Sequence, residues 1–81
     1  MNKSDLTDKA KKVVQAQTLE NLIQSFELTN EKMELARGRD DEYIAIAITR
    51  GWIMDELEAR YAPQFVAWLE AGDDSPRKYF S

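Results

Sequence analysis

Apolar side chains recur at helical spacing along most of this 81-residue chain, and strand-like alternation is absent. Leu19, Leu22, Ile23 and Phe26 follow the i, i+3, i+4, i+7 pattern of a helix with one buried face. Leu6, Ala10, Val13 and Val14 also share a face, but at about 100° per residue it points nearly the opposite way. The whole stretch from about Ser4 to Leu28 reads as helix. Ser4 or Thr7 is a suitable cap, and Asp5 and Asp8 suit its positive end. Two arrangements reconcile the faces. The helix breaks near Gln17-Thr18, with Thr18 capping a second segment, or one continuous helix meets different neighbours along its length. Neither Gly nor Pro occurs between residues 1 and 37, which favours the continuous helix.

Beyond it, Asn30 is a suitable cap for a short helix through Arg37, and Gly38 for its stop. Arg37-Gly38-Arg39-Asp40 reads as a turn that places Asp40 as the next N-cap. From about Asp41 to Tyr61 comes the strongest amphipathic signal, with Tyr43, Ile46, Ala47, Ile53, Met54, Leu57 and Tyr61 in one stripe. Ala62-Pro63 ends that helix and Pro63 opens a short one, which Gly72 stops. In the short helix Ala62, Phe65, Val66 and Leu69 share a face, with Trp68 beside them. The expected fold is all-α: a small three-helix bundle with a long N-terminal helix, a long central helix and a short C-terminal helix. It forms one domain over residues 1–81, with residues 1–12 as a frayed or partner-binding arm and 73–81 as a short aromatic tail. Because that tail ends in Tyr79-Phe80, it is expected to fold back. The expected core is Leu19, Leu22, Ile23, Phe26, Tyr43, Ile46, Ala47, Ile53, Met54, Leu57, Phe65, Val66 and Leu69.

A domain this small buries only about 60–65% of the surface its unfolded chain exposes, so it is held by a thin core. Dimerisation is a common supplement at this size. The chain has no cysteine and no histidine, which removes disulfides, thiolate metal sites, and the commonest general base and metal ligand. No apolar run approaches the roughly 20 residues of a membrane span; the longest is Tyr43–Ile48. The first residues lack the apolar segment of a signal peptide, and the expected location is the cytoplasm. Net charge is −4 and unevenly spread: residues 1–39 sum to +1 and residues 40–81 to −5. That balance disfavours nucleic acid and membrane surfaces as partners.

Four features are candidates for function. Ile44, Ile48 and Trp52, spaced i, i+4, i+8, form a second apolar set on the central helix. Either the flanking helices cover it, or it is a self-association or partner face with Trp52 as anchor. Arg50 lies near the middle of the main apolar stripe, where a buried guanidinium requires an acceptor. A buried ion pair, a cap or a snorkelling stem accounts for it, and recognition of an anion is the other reading. Gly51 costs about 1 kcal/mol against Ala inside a helix, which points to close approach of another helix or to simple tolerance. Lys9, Lys11 and Lys12, with Arg37 and Arg39, are the candidate nucleic-acid contacts. The acidic clusters lack the spacing of a calcium loop, and no phosphate loop, nucleotide fingerprint or nucleophile–base pair is present. No catalysis, cofactor, metal or small-molecule substrate is inferred.

The run Thr49-Arg50-Gly51-Trp52-Ile53-Met54-Asp55-Glu56-Leu57-Glu58, then Phe65, Trp68-Leu69 and Ser75-Pro76-Arg77-Lys78-Tyr79-Phe80, resembles small helical proteins of Gram-positive plasmids, conjugative elements and prophages. The resemblance covers roughly the last 32 residues and implies a bacterial setting and an accessory role in a mobile element. It assigns no site residues. The function expected from the residues is a non-enzymatic, self-associating protein–protein interaction module, with a small nucleic-acid-binding accessory or regulatory protein as the alternative.

Overall fold

Five helices follow one another: α1 (Lys3–Ala16), α2 (Leu19–Leu35), α3 (Asp40–Arg60), α4 (Ala62–Ala71) and the single turn α5 (Arg77–Phe80). They are those of a computed structural model that describes residues 3–80, with side chains from Asp8 to Phe80. The all-α class is as expected, and the three-helix bundle is roughly matched, with four long helices and a short one in place of three. The segment expected as a frayed arm is helical from Lys3; residues 1 and 2 lie outside the described part, as does Ser81 at the end of the tail.

The first correction falls at Gln17-Thr18, where the expected continuous helix divides. Thr18 is extended (φ −69°, ψ 160°) and its hydroxyl accepts the Asn21 N–H at 3.1 Å, an N-cap for α2. Gln17 closes α1 from the other side, its N–H donating to Val14 O and its amide to Val13 O. Arg60, at the far end of α3, donates from Nη2 to Gln15 O at 2.9 Å and from Nε to Glu56 at 2.6 Å. The break lets Val14 of α1 and the Leu22, Ile23 and Phe26 face of α2 each meet the core without a Gly or Pro.

The expected end near Leu28, with Asn30 capping a separate short helix, does not occur in helix α2. Thr29 is buried and back-bonds to Phe26 O, and Asn30 is held by side-chain contacts, so the helix runs to Leu35. Gly38 then adopts a left-handed conformation (φ 83°), which makes the turn. Asp40 is the first helical residue of α3 rather than its cap. With Asp41 and Glu42 it stands at the positive helix end. Tyr61 separates α3 from α4, Pro63 sits in the first turn of α4, and Gly72 (φ 71°) ends it.

The core is one cluster: Leu22, Ile23 and Phe26 of α2, Ile53 and Leu57 of α3, Phe65 and Trp68 of α4, and Phe80 of α5. Trp68 is its aromatic hub, edge-on to Phe26 at 4.9 Å, Phe65 at 5.8 Å and Phe80 at 6.4 Å. Its indole N–H donates to Asp73 O at 2.7 Å, so the ring is buried without stranding a donor. Here the expected core is corrected. Tyr43, Ala47, Val66 and Leu69 are exposed, and Trp68, Phe80, Ala36 and Pro76 are buried. Helix α4 turns Phe65 and Trp68 inward, one turn apart, which leaves Val66 and Leu69 on the outer side.

Charge holds the end of the chain in place. Arg77 binds Glu27 through Nη2 (2.7 Å) and Nε (3.2 Å) and Glu20 through Nη1 (2.8 Å), and Ser75 Oγ donates to Glu27 at 2.8 Å. The hydrogen bonds from Arg77 and Ser75 hold the Glu27 carboxyl below its ordinary range, and Glu27 and Glu20 push Arg77 further up. Tyr79 donates to Asp73 at 2.8 Å, a bond that raises its hydroxyl pKa because only the protonated form donates.

Two outcomes are expected. Leu57→Ala should lower the unfolding free energy by about 2–5 kcal/mol, against about 0.5 kcal/mol for Leu28→Ala on the outer face of α2, measured by urea denaturation. Equal losses at both positions would contradict this placement of the core. Because the Glu27 pKa is depressed on folding, its contribution is complete above the ordinary carboxylate value near 4.3 and disappears as pH falls through the lower folded value. Melting temperature should therefore fall more steeply between about pH 4.5 and pH 3 in the wild type than in Glu27→Gln. Parallel curves would exclude the latch from the acid response.

Candidate interaction surface

Helix α3 has two unlike halves. Its second half carries Ile53 and Leu57 and receives the other helices: α2 and α4 pack on α3, and α1 meets it between Trp52 and Arg60. Its first half carries Tyr43-Ile44-Ala45-Ile46-Ala47-Ile48, six consecutive apolar residues. At about 100° per residue they point all round the helix. A helical segment apolar on every side belongs in an interior. Only Ile46 is more than marginally covered, where the last turn of α2 approaches. Ile44 is 56% exposed, Ile48 49% and Tyr43 42%, and Leu35 at the end of α2 is 80% exposed. Leu35, Ala36, Ala45 and Ile46 line a shallow groove between α2 and α3, rimmed by Lys32, Arg39 and Glu42.

The structure divides the predicted set of Ile44, Ile48 and Trp52. Trp52 is half-buried and lines a groove with Lys11, Val14 and Gln15 of α1. Ile44 and Ile48 continue along the helix beyond it, without cover. The close-packing explanation of Gly51 is corrected: a Cβ built there meets nothing within 4 Å.

Arg50 stands at the junction of the two halves. Instead of the expected ion pair it takes neutral acceptors, the Asn30 side-chain oxygen and Thr29 Oγ1 (3.3 Å). Among the described residues it forms no salt bridge. Its guanidinium lies 4.1 Å above the Phe26 ring. Burial lowers its pKa, and the charge of Asp74 opposes that shift. Asn30 in turn donates to Asp74 O at 2.9 Å, so Arg50 links α3 through α2 to the turn before α5. Through Nη1 and its contact with the Phe26 ring it acts as a structural tie.

The basic residues are not brought together. Lys9, Lys11 and Lys12 are exposed on α1, and Lys11 shares its groove with Asp55 and Glu56. Arg37 and Arg39 flank the turn before α3 and pair with Glu34 and Glu42, each at 3.5 Å. Arg39 and Trp52 are thirteen positions apart, about 20 Å along the helix. Among the described residues no group of three or more acidic side chains is placed to hold a metal ion, and no helix is long and apolar enough to cross a membrane.

Comparison of the chain with protein-family models, curated proteins and solved structures finds no match.

Tyr43 and Leu35 were not foreseen as surface residues. Tyr43 shares the phase of Ile53 and Leu57, which hides its exposure, whereas Leu35 lies opposite the buried stripe of α2 and was legible. Arg50→Ala should cost about 1–3 kcal/mol through lost hydrogen bonds and ring contact, and Arg39→Ala at most about 0.5 kcal/mol. Urea denaturation of the two variants measures the difference, and equal costs would remove Arg50 from its structural role.

Proposed function

We propose that the protein is a non-enzymatic helical interaction module that self-associates through the first turns of α3 and the adjoining end of α2. The carrying observation is the all-round apolar segment Tyr43–Ile48, left mostly exposed within one copy. Surface area supports the reading. The chain exposes 5739 Å². Part of that surface lies on the uncovered turns of α3, and an interface of standard size removes about 800 Å² per partner. The radius of gyration, 13.2 Å against about 11.7 Å for a globule of this length, agrees with an open shape. The absence of His and Cys, and of any nucleophile–base motif, supports a binding role over catalysis. The accessory role in a bacterial mobile element rests on the C-terminal resemblance, and an interaction module suits it.

Sedimentation equilibrium over a concentration series tests the proposal. The wild type should form a concentration-dependent dimer. Ile48→Asp should weaken it more than about 100-fold, since each copy loses a buried isoleucine, with the far-UV spectrum of the isolated chain unchanged. A wild type that stays monomeric to millimolar concentration refutes self-association.

A further inference from the structure

We infer that two copies pair through antiparallel α3 helices about a two-fold axis midway between Ile44 and Ile48, so that Ile44 of each copy packs against Ile48 of the other. The inference rests on the self-association reading and adds its geometry. A closed dimer presents the same patch on both copies, so the patch must complement itself. Ile44 and Ile48 lie one turn apart on one meridian of α3 and are both about half exposed. Three antiparallel registers bring these isoleucines together, and charge decides among them. An axis through Ile44 sets Asp40 of each copy against Ile48 of the other, a carboxylate facing an apolar side chain. An axis through Ile48 sets Asp41 of each copy opposite Asp55 of the other, two like-charge contacts across the interface. Moving the axis to midway between Ile44 and Ile48 sets Asp41 opposite Gly51, where no side chain competes for space and a Cβ would meet nothing.

The same register places the Arg37-Gly38-Arg39 turn of one copy at the level of Asp55 of the other. Arg37 and Arg39 hold their own carboxylate partners only at 3.5 Å on highly exposed side chains, so both can turn to a new one. It also directs Asp40 and Asp41 toward the end of the other copy's α1, where Lys11 lies beside Trp52. Asp55 then meets the Arg37/Arg39 turn, the acidic start of α3 faces Lys11, and the helix dipoles run antiparallel. Such pairs contribute more to register than to affinity. This geometry also gives Gly51 a reason that packing within one copy does not.

Cysteine pairing reads the register directly, because the chain contains no cysteine of its own. Ile44→Cys and Ile48→Cys variants are mixed and oxidised, and the products are resolved by mass. The mixed 44–48 disulfide should form several-fold faster than either homodimer. Predominance of either the 44–44 or the 48–48 homodimer would overturn the register, as would mixed disulfide no faster than that formed with Val66→Cys on the outer side of α4. In parallel, Asp55→Arg and Arg37→Glu/Arg39→Glu should each weaken assembly about five-fold, and mixing the two variants should recover part of it. Unchanged assembly in these variants would likewise refute the charge pairing. In each of these failures the wild type still dimerises and self-association stands. A monomeric wild type removes both.

Discussion

Ile53 and Leu57, on neighbouring turns of α3, are where the molecule converges. They are the only α3 residues that are fully enclosed, and α2, α4 and α5 reach one another across them. With Leu22, Ile23, Phe26, Phe65, Trp68 and Phe80 they form the whole of a thin core, so loss of any one removes a large share of the buried apolar contact. The polar ties are arranged around this centre. Arg50 closes one side through Asn30 and Thr29, Arg77 closes another through Glu27 and Glu20, and Arg60 attaches α1 through Gln15 O. Three arginines thus join segments distant in sequence, while most of the remaining charge is solvated.

Most of the fold was legible from periodicity because the helices are bounded by residues with strong local preferences. Gly38 and Gly72 take the left-handed conformation their positions suggest, and Pro63 stands where α4 begins. The break at Thr18 was less legible, since a threonine cap competes with helix continuation by only about 1 kcal/mol and tertiary contacts decide the outcome. The length of α2 was hidden for a related reason. Thr29 and Asn30 look like terminating residues, and only their partners, Phe26 O and Arg50, explain why they sit inside a helix.

The candidate surface was half legible. Spacing alone singled out Ile44 and Ile48, and it grouped Trp52 with them because all three share a meridian. What spacing does not contain is where along that meridian α1 comes to rest. Tyr43 illustrates the converse: its phase matches the buried stripe, but the helix extends past the point where neighbours exist to cover it. Amphipathic phase identifies a face; only the lengths and ends of the surrounding elements determine how much of that face is enclosed.

The latch of α5 carries a kinetic meaning. Its bonds join residues 50 to 57 positions apart, whereas the α2–α3 hairpin is built from neighbours across a short turn. Closing so long a loop is entropically slow to be rewarded, so α5 docks late in folding, after the hairpin has formed. In reverse, α5 is a single turn held by one buried ring and by the Arg77 bonds to Glu27 and Glu20, so its release is a small local opening. Its departure uncovers Trp68 while α2 and α3 remain paired, giving a partly open form whose indole fluorescence differs from that of the closed protein. The chain's own aromatic hub is then a built-in reporter of that opening.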